Sequence, residues 1–384
     1  MSQNYYHLGI FSDWVEAAAQ IRPLCPLAPP GKETQEKIRH CLGFTGGNET
    51  PRSVQVDGQW EKDGLIGEAI SWSVGYGPRT QAWLLRPANH SGPLPGILAL
   101  HDHGGFKFYG KEKIADGENT HYPVIQSFRD DCYGGRAYAN ALAKEGYAVL
   151  VHDTFMWGSR RFPYETMTEW TKFLTELQEP TWTAERLGTS PHEVWKYNTA
   201  AGLHEHLILE KYCTLLGTSM AGVVCYEDRV ALNYLLSRPE VNASQIGCIG
   251  LSGGGNRSAM LLATHDAIQA AVIVGLMTTY AELLDHNVAS HTWMLFPPNL
   301  SRYADWPDLA ACRSPMPLLV QYDTEDNLFT PQGMKDAHER IALHYRNLGQ
   351  PERYSGQFYP GPHKFDLTMQ EAAFAWLKEH LGAK

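Results

Sequence analysis

No stretch of this 384-residue chain is apolar for long enough to span a bilayer. The longest nearly apolar run, Ile268 to Met277, is ten residues and contains Gln269, whereas a spanning helix needs about 20. A basic block is also missing. Lys and Arg number 32 against 42 Asp and Glu, a net charge of −10. Nothing here tracks a phosphate backbone, so nucleic acid is not expected as a partner. Cysteine is sparse: seven residues, an odd number, with no CxxC spacing. Reduced thiols in a cytosolic protein are the expectation. Met1 to His7 lacks the basic n-region and apolar h-region of a secretory signal, which fits a cytoplasmic location. Internal repeats and low-complexity tracts are absent as well.

What remains is an ordinary globular composition, 43% hydrophobic and 19% charged, with enough chain for one large domain or two. The first 63 residues read as an N-terminal helical arm, with a helix at Trp14 to Ile21 and a Pro/Gly-rich stretch at Pro23 to Gly31. The arm can pack on its own domain or on a second subunit, so a homo-oligomer stays open. Leu65–Val74 and Thr80–Leu85 read as strands around the turn Gly75-Tyr76-Gly77-Pro78. From residue 95, short apolar runs alternate with amphipathic segments of helical length. The runs are Ile97–Leu100, Ala148–Val151, Ile246–Leu251, Ala270–Leu276, Leu318–Tyr322 and Tyr354–Tyr359. Near-continuous apolar runs are expected of parallel strands buried on both faces. The pattern predicts an α/β fold, a mostly parallel doubly wound sheet over residues 64–384. Two gaps, about 154–226 and 278–313, are too long for connecting loops. They are expected to cap the sheet, and the aromatics of the first either form a local core or line a substrate pocket.

Gly250-Leu251-Ser252-Gly253-Gly254 is a G-x-S-x-G match with a strand running in and a helix-competent stretch running out. That context makes it a nucleophile elbow: a strained turn lifts the Ser252 hydroxyl above the sheet. Gly250 and Gly254 leave no Cβ where helix and strand pass closest. The Gly253 N–H, at the start of a helix, is free to bind an oxyanion. A serine hydroxyl needs a positioned base. His363, in the loop after the last strand run, is the expected base. Asp326, after the run ending at Tyr322, is the expected acid, with Asp323 as runner-up.

His101-Asp102-His103-Gly104-Gly105 ends another strand run. The His103 N–H is the expected second oxyanion donor, and the His101 side chain is expected to tie the loop down. A competing reading makes His101 and His103 ligands of one Zn²⁺, since two imidazoles two apart on a strand share a face. No later histidine pair at strand ends completes such a site, and His204-Glu205-His206 is not an H-E-x-x-H motif. Lys107, Lys111 and Lys113 follow this loop, and Arg160 and Arg161 follow Ala148–Val151. They read as a solvated face or as binders of an anionic substrate group, with Trp157, Lys107 and Arg160 the candidate substrate contacts.

From about Leu94 to Gly382 the chain resembles the α/β-hydrolase superfamily, in its dienelactone-hydrolase-like and acetyl xylan esterase-like branch. The resemblance rests on the His101–Gly105 loop with Tyr109-Gly110-Lys111-Glu112-Lys113, on Asp228-Arg229-Val230-Ala231 before Leu235 to Val241, on the elbow and on His363. It implies a Ser252–Asp326–His363 triad, an oxyanion hole at Gly253 and His103, no metal or cofactor, and a small-molecule carboxylic ester as substrate, such as an acetylated carbohydrate. Serine in place of the dienelactone hydrolases' cysteine favours a plain esterase. The triple glycine after Ser252 and the size of the first insertion depart from the usual pattern. Lactone, amide and carbon–carbon hydrolysis remain alternatives on the same triad, and a non-catalytic binding protein is a third class.

Overall fold

The computed structural model describes residues 4–43, 48–119, 122–183 and 188–382. Its centre is a nine-stranded sheet in the order β1-β2-β3-β5-β4-β6-β7-β8-β9. The strands are β1 (Arg52–Lys62), β2 (Leu65–Ser73), β3 (Thr80–Pro87), β4 (Leu94–Leu100), β5 (Ala148–His152), β6 (Val241–Leu251), β7 (Ala270–Val274), β8 (Leu318–Asp323) and β9 (Tyr354–Tyr359). β1, β2 and β3 pair antiparallel, and β3 joins β5 antiparallel; from β5 to β9 every pairing is parallel. The six apolar runs read from the sequence all fall on parallel strands, with Ala270–Leu276 extending two residues past the end of β7. β4, β5, β7 and β8 are buried along their whole length, as strands covered on both faces must be.

The sheet starts earlier than the sequence suggests. β1 falls in the stretch read as an N-terminal helical arm, and it is exposed almost throughout. An edge strand need bury neither face, so it carries no apolar alternation to read. The helices Asp13–Ile21 and Lys32–Leu42 precede it.

Helices cover both faces. One layer contains Lys32–Leu42, Met220–Leu236, Gly253–Thr264, Trp306–Ala311 and Pro331–Asn347; the other contains Tyr138–Lys144 and Leu367–Leu381. Met220–Leu236 is buried on nearly every side, because the N-terminal helix Lys32–Leu42, the helix Gly253–Thr264 and the turn Trp293–Leu295 pack around it and Arg229 pairs with Glu49. The first insertion carries the helices Glu169–Gln178 and His192–His204, then a π-helical turn at Glu205–Leu209. The second insertion, after β7, is a chain of short helical turns. Among the described residues, no single helix is long and apolar enough to cross a membrane.

Candidate active site

β6 runs straight into Ser252, and the helix begins at Gly253. Ser252 holds φ 57° and ψ −120°, a backbone state that costs a non-glycine residue roughly 1–3 kcal/mol. Its own N–H donates to the Val274 carbonyl at 2.8 Å, which fixes the turn to β7. The glycines around it are there for space. A Cβ on Gly250 would sit 2.5 Å from the Gly254 carbonyl carbon and 2.6 Å from the Leu100 oxygen, and one on Gly254 would collide with the same oxygen. Helix and strand therefore approach to backbone contact, as the motif predicts.

His363 follows β9, and Asp326 follows β8. His363 Nδ1 and Asp326 Oδ2 are 2.6 Å apart, while Asp326 Oδ1 accepts the Leu328 N–H at 2.8 Å. Burial pushes the imidazole pKa down. The Asp326 hydrogen bond and charge, with Asp323 and Asp102, outweigh it and hold His363 above its usual 6.5. Gly275 places this pair beside the elbow. It follows Val274, the residue bonded to Ser252, and a Cβ on it would lie 2.9 Å from Leu251 and 3.1 Å from the His363 ring.

Of the two candidate acids, Asp326 is the one bonded to His363. Asp323 lies next to the ring without that bond: its Oδ2 accepts the Lys364 N–H at 3.1 Å, and its Oδ1 has no partner among the described residues. Burial raises its pKa to about 7, against the pull of the Lys364 N–H and the His363 charge.

The His103 loop crosses in front of the elbow helix. A Cβ on Gly253 would be 2.6 Å from His103 N, so the two backbone N–H groups are neighbours. Among the described residues neither finds an acceptor. The Asp102–His103 peptide is gripped from behind. Its carbonyl, Asp102 O, accepts from Lys113 Nζ at 2.6 Å and lies 2.9 Å from His101 Nδ1. Burial, with the Arg257 and Lys113 charges, holds His101 neutral well below 6.5, so Nδ1 is protonated and donates. His101 thus ties the loop down, as the sequence reading anticipated. His101 and His103 do not share a ligand position. The His103 ring turns to Glu205, its Nε2 at 3.0 Å from Oε2.

Of the basic residues after the loop and after β5, Arg161 is exposed and the others are buried. Lys107 and Lys113 are fully buried, Lys111 and Arg160 nearly so. Lys107 pairs with Glu205 at 2.5 Å, Lys111 with Asp153 at 3.0 Å, Lys113 with Asp102 at 3.0 Å and Arg160 with Glu227 at 2.5 Å. A cation removed from water must be paired; Asp102 is in the same loop region as Lys113, whereas Glu205, Asp153 and Glu227 lie on distant segments that sequence reading cannot assign. Trp157 is buried too. Its Nε1 donates to the His103 carbonyl at 3.3 Å, and Lys107 Nζ sits 5.1 Å from its ring. Trp157, Lys107 and Arg160, the candidate substrate contacts, are thus buried and held by partners within the fold. Other insertion aromatics face solvent: Trp170 and Phe173 stack at 5.5 Å on the surface of the cap.

Two residues of the buried network around the site escaped the sequence reading. Glu205, in the π-helical turn, receives His103 and Lys107 and also Thr292 Oγ1 at 2.5 Å. One carboxylate thus fastens both insertions to the loop. Burial raises its pKa, but Lys107 and His103 pull it well below the usual carboxylate range. Arg257, on the elbow helix, pairs with Asp228 at 2.7 Å and donates to the His101 carbonyl at 3.1 Å. Through Arg257, Asp228 locks the elbow helix to the end of β4. Beside Gly104 and Gly105 opens a cavity of about 490 Å³, lined also by Phe128, Trp195, Ser127 and Thr199.

The family described as BAAT / acyl-CoA thioester hydrolase C terminal matches residues 226–294, which include the elbow. YtaP of Bacillus subtilis (strain 168), named as a hydrolase, is 24% identical over 305 residues, covering 79% of this chain and 84% of YtaP. A Bacteroides fragilis NCTC 9343 protein named as an acetyl xylan esterase superposes with a TM-score of 0.63 at 17% identity, over 85% of this chain and 73% of its own. A glucuronoyl esterase from Solibacter usitatus gives 0.60 at 13% identity, over 91% of both chains. The parallel strand order, the elbow after β6 and these superpositions agree: the chain has the α/β-hydrolase fold.

Proposed function

We propose that the protein is a serine hydrolase of carboxylic esters, with Ser252 as nucleophile, His363 as base, Asp326 as its orienting acid, and the N–H groups of Gly253 and His103 as the oxyanion hole. The observation that carries this is the 2.6 Å His363–Asp326 pair at the strand ends flanking Gly275, the same place where Ser252 is held in its strained turn.

His363 takes the Ser252 proton as Oγ attacks the ester carbonyl carbon. The carbonyl oxygen becomes an oxyanion between the two N–H groups, and the intermediate collapses to an acyl-serine. His363 hands the proton to the departing alcohol. It then takes a proton from water, which attacks the acyl-serine, and returns that proton to Ser252 Oγ as the acid is released. Asp326 keeps the Nδ1–H tautomer and stabilises the imidazolium in both halves.

Two solved structures of similar fold are named as acetyl xylan esterases, which supports an acylated sugar as substrate. The cavity beside Gly105 suits one: the Trp195 and Phe128 rings offer stacking faces, and Ser127 and Thr199 offer hydroxyls. The matched thioesterase family favours a second reading, an acyl thioester on the same triad. The test is turnover of an acetylated xylo-oligosaccharide, p-nitrophenyl acetate and an acyl-CoA, by wild type and Ser252→Ala, with and without EDTA. The proposal expects ester turnover that the variant abolishes and EDTA leaves alone. Turnover that survives Ser252→Ala, or that EDTA removes, refutes it.

A further inference from the structure

We infer that Lys113 is a positioning residue of the oxyanion hole, acting through the Asp102–His103 peptide; the inference rests on the proposed role of the His103 N–H. Lys113 Nζ is fully buried and surrounded by three acceptors: Asp102 O at 2.6 Å, Asp102 Oδ2 at 3.0 Å and His103 O at 3.3 Å. Three acceptors require three N–H bonds, so the group is an ammonium. Its shortest bond goes to the carbonyl of the very peptide whose N–H stands beside Gly253. In a trans peptide the C=O and N–H point in opposite directions. Holding the carbonyl towards the interior therefore holds the N–H towards the elbow.

The contact also changes the donor's strength. A cation on the carbonyl oxygen draws electron density through the peptide and makes the N–H a better donor, the cooperative effect expected of hydrogen-bond chains at low dielectric. The gain is largest when negative charge appears opposite, which happens in the transition state and not in the bound ester. The rest of the cluster serves this arrangement. Tyr133 Oη donates to Asp102 Oδ1 at 2.5 Å, and the Trp157 indole donates to the His103 carbonyl. Both carbonyls flanking His103 are thus held, and the residue cannot flip its N–H away without breaking a bond to a buried charge.

The test compares wild type with Lys113→Met and with the double variant D102N/K113M, which leaves no buried carboxylate unpaired if the single variant fails to fold. Each is measured for kcat and KM on a soluble acetyl ester, for inhibition by an alkyl boronic acid that forms a tetrahedral anion on serine, and for the rate of fluorophosphonate capture. Loss of a preorganised oxyanion donor costs about 10²–10³ in kcat, and a misdirected but present donor is expected to cost about 10–100-fold. The expected pattern is that fall in kcat, a KM within about twofold, and a boronate Ki weakened in parallel with kcat. A role in stability alone would lower the melting temperature and leave the boronate Ki of the folded fraction unchanged. Folded variants with wild-type kcat and boronate affinity overturn the inference. Failure of wild type to react with the fluorophosphonate would overturn the serine mechanism beneath it, a distinguishable result.

Discussion

Gly253→Ala strikes the proposed oxyanion hole directly. The new Cβ would lie 2.6 Å from His103 N and 2.9 Å from His103 Cβ. Heavy atoms in ordinary contact sit about 3.5 Å apart, so one side must yield by on the order of 1 Å. The elbow helix is held by Arg257, Asp228 and the Gly254–Leu100 approach, and the His103 segment by Lys113 and Trp157, so whichever side yields, the two N–H groups are displaced relative to each other. A 1 Å misplacement costs about 10²-fold in rate, and loss of one oxyanion donor costs about 10²–10³, or roughly 3–4 kcal/mol of transition-state stabilisation. Gly253 does not need a positive φ, and alanine is the better helix former by up to about 1 kcal/mol. The expected result is a kcat/KM on a soluble acetyl ester lowered at least about 100-fold, with a melting temperature below wild type, because the backbone clash outweighs the gain in helix propensity. Gly254→Ala must destabilise the fold too, because its Cβ strikes the Leu100 backbone. A Gly253→Ala enzyme with near-normal kcat/KM would refute the placement of the oxyanion hole between Gly253 and His103.

Further outcomes follow from the charges. His363 acts as a base only when neutral, and its pKa is raised, so kcat/KM should fall on acidification with a midpoint above 6.5, and Asp326→Asn should move that limb down; a wild-type midpoint at or below 6.5 contradicts it. The same shift makes the charged pair stabilising below pH 6.5, a contribution lost as pH rises through the folded-state pKa. Asp323 has its folded pKa raised to about 7 from 3.8, so its protonated form favours folding below 3.8 and that contribution is lost as pH rises through about 7. Asp323→Asn should therefore gain melting temperature relative to wild type as pH goes from 4 to 8, and a pH-independent difference would rule this out. Glu205→Gln leaves buried Lys107 without its anion, so denaturant unfolding should show about 3–5 kcal/mol of lost stability; unchanged stability would mean the network is not what binds the insertions to the loop.

The parallel half of the sheet is legible because burial on both faces writes itself as unbroken apolar runs, as in Ile97–Leu100 and Ala270–Val274. The elbow is legible because backbone contact between helix and strand admits only glycine at 250 and 254. His363 and Asp326 are legible from their place after strands. β1 is not, since an exposed edge strand buries neither face. The frame of the site is hidden for another reason. Lys107 and Arg160 look like surface residues until their partners Glu205 and Glu227 arrive from other segments. Ion pairing across the fold leaves no period in the sequence.

The central claim is that Ser252 is an activated nucleophile. Intact-mass spectrometry after incubation with a fluorophosphonate tests it most directly, in wild type and Ser252→Ala side by side. The account predicts one adduct on wild type, located to the Gly250–Gly254 peptide and absent from the variant. No adduct on wild type, or an equal adduct on Ser252→Ala, would contradict it.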